Sequence, residues 1–137
     1  MKSPAQAVTN LETQFSEYIK GKRKKFDLQK LQIHDDLREL TGTDLQKSVW
    51  RSLRSIPYGK TITYSELSKR VGKPKAVRAV ASAVANNPLC IIIPCHRVVP
   101  KTKAKSATKT KARLDIGNYA LGQDMKRILL ELEGAIS

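Results

Sequence analysis

The chain has 137 residues, room for one ordinary domain or one domain with a short extension. Lys and Arg number 26 against 12 Asp and Glu, a formal charge of +14, and 40% of the residues are apolar. These figures exclude a wholly disordered tail, and no apolar run approaches the roughly 18 residues of a membrane span. In chain order, the first expected element is an amphipathic helix of about four turns on which Val8, Leu11, Phe15, Tyr18 and Ile19 share a face. It runs into the basic stretch Lys20–Lys25, an extended Phe26-Asp27-Leu28, and a polar connector from Gln29 to Gly42.

A second helix opens at Thr43, where Gln46 three residues on completes a capping box, with Leu45, Val49 and Leu53 on its buried face and Trp50 at the flank. Ile56-Pro57-Tyr58-Gly59-Lys60 breaks it. Thr63 and Glu66 form a second box and open a short helix ending near Val71-Gly72. Pro74 suits the first position of a fourth helix, about residues 74–86, with Val77, Val80 and Val84 on one side. Two short capped helices joined by a Gly-containing turn are the pattern of a helix-turn-helix. Leu89–Ile93 is an apolar run too short for a helix and reads as buried. Residues from Pro100 to Arg113 carry six positive charges and almost nothing apolar, so a mobile basic loop is expected at about 100–116. Leu121, Met125, Ile128, Leu129 and Leu132 mark a last helix that stops at Gly134.

A positive surplus of this size attracts polyanions, nucleic acid first, although charge kept for solubility is the plainer alternative. Membrane-surface binding is disfavoured, because the basic runs do not lie on an apolar-faced helix. The first residues, Met1 to Gln6, hold no apolar segment of signal-peptide type, so an intracellular protein is expected: nuclear if eukaryotic, otherwise cytoplasmic. Lys20–Lys25 reads either as solvated surface or as a nuclear address. Cys90 and Cys95 lie too close together for a disulfide framework, and with His96 and distant His34 they lack zinc-site spacing. Neither a metal nor another cofactor is expected.

A thiol becomes a strong nucleophile only as the thiolate, which needs a base or a positive environment. Cys95 follows a rigid Pro at the end of a buried run and precedes His96 and Arg97. Adjacent Cys and His alone describe a small buried cysteine better than a nucleophile. The wider pattern reverses that reading. Ile56-Pro57-Tyr58-Gly59-Lys60-Thr61, Thr63-Tyr64, Arg78-Ala79-Val80, Asn87-Pro88, Ile93-Pro94-Cys95-His96-Arg97-Val98, Gly117-Asn118-Tyr119 and Leu132-Glu133-Gly134 occur in order. Over about residues 43 to 137 this closely resembles the O6-alkylguanine-DNA alkyltransferases, interrupted only by the basic stretch.

The resemblance implies a mostly α fold: a winged-helix-like alkyltransferase C-terminal domain with a helix-turn-helix and few short strands. It implies direct, irreversible transfer of an alkyl group from O6-alkylguanine, with O4-alkylthymine a further candidate, in double-stranded DNA to Cys95, by a monomer. His96 matches the histidine that draws the thiol proton through a bridging water, and Glu133 the acid that orients it, a relay of triad type. Tyr64 matches the tyrosine that helps neutralise the leaving guanine. Asn87 matches the residue tying the recognition helix to the active-site turn. The Val98 carbonyl falls where the exocyclic amine of guanine is read, and Tyr119 and Ala120 match the wall near O6. Arg78 matches the arginine that fills the stack once the base is flipped. Ser65, Lys73 and Lys101 are candidate phosphate contacts.

Some features depart from the family pattern. Residues 1–42 stand where relatives carry a whole N-terminal domain, and read as a truncated region of helix and basic connector, leaving 43–137 as the DNA-binding alkyltransferase domain. Leu121 occupies a place where relatives commonly have small residues, which predicts a poorer fit for bulky adducts. Cys90 replaces a common Pro and receives no role. Two other functions remain open. One is a non-reactive alkyltransferase-like lesion binder, in which Trp typically stands at the cysteine position. The other is a basic chromatin-associated DNA-binding protein, which accounts for the charge but not for the ordered motifs.

Overall fold

The computed structural model describes residues 4–100 and 116–136. The expected basic loop falls mostly at 101–115, and like Lys101 it lies outside the described residues. The chain divides into two compact units, Met1–Thr41 and Gly42–Ser137. Among the described residues no helix is long and apolar enough to cross a membrane.

In the first unit, helix α1 (Pro4–Ile19) carries Tyr18 into a cluster with Phe26, and Phe15 meets the Phe26 ring edge-on at 5.4 Å. The buried face is the expected one only in part: Tyr18 is buried and Leu11 and Phe15 are half-buried. Val8 and Ile19 are 54% and 57% exposed, whereas Gln14 is buried. The Gln14 amide accounts for the rotation: it donates to the Asp27 carbonyl at 3.2 Å and accepts the Asp27 N–H at 2.7 Å. A polar side chain so paired can be buried where an unpaired one would be excluded. The connector is more ordered than its polarity predicts. A 3-10 turn at Gln29–Leu31 and a left-handed Leu37 (φ 58°) bring Leu28, Leu31 and Leu37 inside.

The second unit is mostly helical. Helix α2 (Asp44–Arg54) packs against α3 (Tyr64–Arg70) and α4 (Val77–Ala85). Both capping boxes are complete: Thr43 and Gln46 open α2, and Thr63 and Glu66 open α3. Trp50 does not flank the core but sits in it, with its indole Nε1–H donating to the Ala83 carbonyl at 2.9 Å. Helix α4 begins three residues later than Pro74, because the Ala76 N–H closes a turn onto the Lys73 carbonyl at 3.0 Å. Pro74 is the second residue of that turn, a position its fixed φ favours as well as it favours a helix start. Strands β1 (Ile62–Thr63) and β2 (Val98–Val99) pair in parallel, Ile62 beside Val98 and Thr63 beside Val99.

The last helix, α5, spans Gln123–Leu132 and buries Lys126, Leu129 and Leu130, with Glu133 following on the same side. The expected apolar face is turned largely outward: Leu121, Met125 and Ile128 are all exposed. Pattern reading assigns Lys and Glu to solvent, but here both are buried with partners.

Candidate active site

The Cys95 turn is assembled from local geometry. Pro94 adopts φ −79° and ψ 64°, and the Cys95 N–H donates to the Ile93 carbonyl at 2.8 Å. This is an inverse γ-turn, with proline's restricted φ already close to the required value. Cys95, His96 and Arg97 continue as a single 3-10 turn, all three buried, and the chain then enters β2. Before the turn, the run Leu89–Ile93 is folded back on itself. The Ile93 N–H reaches the Leu89 carbonyl, and Ile91 sits at φ 78°, a costly backbone for a β-branched residue. Asn87 holds this fold from inside, donating to the Ile93 carbonyl at 2.7 Å and accepting the Leu89 N–H at 2.9 Å. It thereby joins the end of α4 to the cysteine turn.

Cys95 is 3% exposed and borders an open cleft of about 700 Å³. The other lining residues include Tyr64 from α3, Ala81, Val84 and Ala85 from α4, and Asn118, Tyr119 and Ala120 from the opposite wall. Gln123 also belongs to that wall, and Leu121 is exposed next to it in sequence, after Ala120. Burial pushes the Cys95 thiol up to about 11, tempered by the Asn87 side chain and raised further by the neighbouring Cys90. Such a thiol is inert until a base takes its proton. Burial likewise raises the Tyr64 and Tyr119 hydroxyls, Cys95 adding to both.

His96 follows Cys95 in the same turn. His96 is wholly buried, and its Nε2 is 2.9 Å from Glu133 Oε2. Its Nδ1 is buried without a protein hydrogen-bond partner among the described residues. Desolvation lowers the His96 pKa, Glu133 opposes that shift, and Arg97 and Lys126 reinforce it. The ring is therefore held neutral, with one nitrogen anchored and the other available.

Arg97 fixes the anchor. Its Nε donates to Glu133 Oε1 at 2.8 Å and its Nη2 to Oε2 at 2.7 Å, while Nη1 donates to the Ile56 carbonyl at 2.7 Å. The guanidinium lies 5.7 Å from the Tyr58 ring centre, and the Tyr58 hydroxyl reaches the Leu132 carbonyl. Gly59 passes so close that an added Cβ would stand 3.0 Å from the Glu133 carbonyl. The Ile56–Lys60 motif thus forms the support on which the Arg97–Glu133–His96 chain rests. Arg97 and Lys126 were not among the residues assigned a role from sequence. Arg97 stands inside the Pro-Cys-His-Arg motif, but nothing local marks its partner 36 residues away.

The remaining candidates divide by location. Val98 is buried in β2, where its carbonyl accepts from Lys126 Nζ. Arg78 projects from the exposed side of α4, Ser65 is half-buried on α3, and Lys73 is exposed in the turn between the two helices. Ala79 and Ser82 are also exposed on α4, whereas Ala83 faces inward beneath Trp50. Among the described residues no cluster of His, Cys, Asp or Glu could hold a metal ion.

This is a helix-turn-helix domain with a buried cysteine, histidine and glutamate under an open cleft, and that arrangement defines a narrow class. Residues 44–135 match the family described as 6-O-methylguanine DNA methyltransferase, DNA binding domain. The chain belongs to that family. It is 43% identical over 122 residues to the methylated-DNA–protein-cysteine methyltransferase of Methanosarcina acetivorans, covering 89% of this chain and 66% of the relative. The inducible enzyme of the same name from Bacillus subtilis is 38% identical over 120 residues, covering 88% and 56% respectively. The chain thus spans two thirds or less of the length of these curated relatives. The structure of Mycobacterium tuberculosis OGT in complex with DNA aligns with TM-score 0.73 and 36% identity, covering 93% of this chain and 67% of that one. The same fold is present in the O6-methylguanine-DNA methyltransferase of Pyrococcus kodakaraensis, with TM-score 0.63 and 32% identity over 90% of this chain and 62% of that one.

Proposed function

We propose that this protein repairs double-stranded DNA by accepting the alkyl group of O6-alkylguanine on Cys95, with O4-alkylthymine as a second candidate substrate. The observation that carries the reading is the buried thiol at the edge of an open cleft, with a neutral, anchored imidazole next to it in the same turn. A stacked base cannot bring its alkyl group to such a thiol, so the nucleotide must be extruded into the cleft. Arg78, exposed on α4, is the side chain assigned to the space left in the stack. Ser65 and Lys73 would take phosphates on the same face, with Lys101 a further candidate.

The chemistry balances without a cofactor. His96 Nδ1 takes the thiol proton through a water, and Glu133 stabilises the resulting imidazolium. The Cys95 sulfur then attacks the alkyl carbon, the carbon–O6 bond breaks, and a thioether forms. Guanine leaves with the bonding electrons, its charge relieved by the Tyr64 hydroxyl and its proton balance restored from the imidazolium. Burial, which makes the resting thiol weak, excludes water from the displacement. Nothing in this sequence regenerates the thiol, so each molecule acts once, as a monomer. The charge of +14 suits a DNA-rich compartment, the nucleus in a eukaryote and otherwise the cytoplasm.

The test is incubation with a duplex bearing O6-methylguanine, followed by intact-protein mass and peptide mapping. The expected result is one added methylene on Cys95, absent in Cys95→Ala. Unmodified protein that still selects the lesion would replace this reading with that of a non-reactive binder. Indifference to the lesion together with salt-sensitive DNA binding would replace it with a chromatin role.

A further inference from the structure

The transfer step leaves one buried charged side chain unused. Lys126 stands in the middle of α5 at 0% exposure, and lysines are almost never fully buried without dedicated partners. Its Nζ donates to the Val98 carbonyl at 2.7 Å and to the Asn118 carbonyl at 3.2 Å. These carbonyls belong to different segments, and only Asn118 lines the cleft. Val98 follows the Cys95 turn, and Asn118 begins the Asn118–Ala120 side of the cleft. The fit around the ammonium is close: a Cβ at Gly117 would meet Pro100 at 2.9 Å and Lys126 Nζ at 3.4 Å.

We propose that Lys126 is a positioning residue that holds the Val98 carbonyl and the Asn118–Ala120 wall at fixed spacing, and so sets selectivity for the guanine lesion. The inference rests on the alkyl-transfer reading above. An ammonium has three donors on one atom and can join two carbonyls across irregular backbone, which no apolar side chain can do. A carbonyl oxygen has two lone pairs, so Val98 bound to Lys126 keeps one for the exocyclic amine of an extruded guanine. Stability alone does not call for a cation here, since buried charges are often replaced by apolar residues of similar volume without loss. The charge also bears on Cys95 and His96. A purely electrostatic role, however, would alter transfer from every substrate alike, whereas a positioning role alters the ratio between substrates.

The experiment compares the full chain with Lys126→Met and Lys126→Gln in single-turnover transfer to Cys95. The two substrates are duplexes carrying O6-methylguanine or O6-methylhypoxanthine, the same lesion without the amine. DNA affinity is measured in the Cys95→Ala background, and folding by circular dichroism. The unsubstituted protein is expected to prefer the guanine lesion, and Lys126→Met to reduce that preference by roughly tenfold, the worth of one well-placed hydrogen bond. DNA affinity should stay within about twofold, because the ammonium is out of reach of phosphate. An unchanged preference, with or without a slower rate, overturns the proposal, as does an unsubstituted protein that does not discriminate. If neither variant folds, Lys126 is a core residue and the positioning role is discarded. Absence of transfer in the unsubstituted protein overturns the repair reading itself and takes this inference with it.

Discussion

The helix pair α3–α4 and the cysteine turn are built by opposite means. Helix α3 starts because Thr63 and Glu66 satisfy each other's neighbouring backbone groups, and the turn before α4 closes over Lys73 and Ala76. Every determinant lies within a few residues. The reactive centre instead draws Cys95 and His96 from one turn, Glu133 from the end of α5, and Ile56 and Tyr58 from the end of α2. A surface that meets a repetitive polyanion tolerates local, modular construction. The proposed relay of a proton needs each atom fixed by several others.

The largest effect should follow from breaking the distant construction. Glu133→Gln keeps the shape of the side chain but removes the charge that faces both Arg97 and His96. Leaving the Arg97 guanidinium buried and unneutralised should cost about 3–5 kcal/mol, read as a lowered denaturation midpoint. Transfer from a methylated duplex should fall with it by roughly 10²- to 10⁴-fold. A variant with native stability and rate would mean that the buried chain is ornamental. The pH dependence sharpens the same point. His96 is held neutral by burial, its pKa below the ordinary 6.5. As pH falls below that ordinary value, the unfolded chain takes up a proton that the folded chain refuses, so stability must decline. His96→Gln should flatten that part of the stability profile, and an unchanged profile would contradict the assignment.

Breaking the local construction should cost less. Thr63→Ala removes one capping oxygen and should lower stability by about 1 kcal/mol, with transfer at saturating DNA unchanged. A loss several times larger would show that β1 and α3 are coupled to the centre more tightly than the cap implies. The smallest effect is reserved for α5. Ile128→Lys should alter stability by no more than about 0.5 kcal/mol, because Ile128 lies outside the core. Had the apolar pattern located the buried face, the same change would cost several times as much.

Legibility in the sequence follows the same division. Both capping boxes, the five helices among the described residues and the Pro-Cys-His-Arg turn can be read directly, because each is a short-range pattern. Membership of the family rested on motifs spread in order along the chain, and the fold agrees with it. The faces of α1 and α5 are only partly legible, for a shared physical reason. Gln14, Lys126 and Glu133 are polar residues that a hydrophobicity pattern assigns to water, yet each has hydrogen-bond partners that permit burial. The position of Trp50 inside the core is not legible locally, because the acceptor of its indole N–H is a main-chain carbonyl 33 residues away.

The burial of Trp50 has a practical consequence. It is the chain's one tryptophan, so the ultraviolet emission excited at the red edge of the absorption band arises from a single site. That site is 2% exposed and bonded across to α4. A shift of the emission to longer wavelength would therefore report α2 parting from α4. Titrated with duplex DNA, the same signal would give an optical, label-free view of whether the helix pair shifts as a base is drawn out.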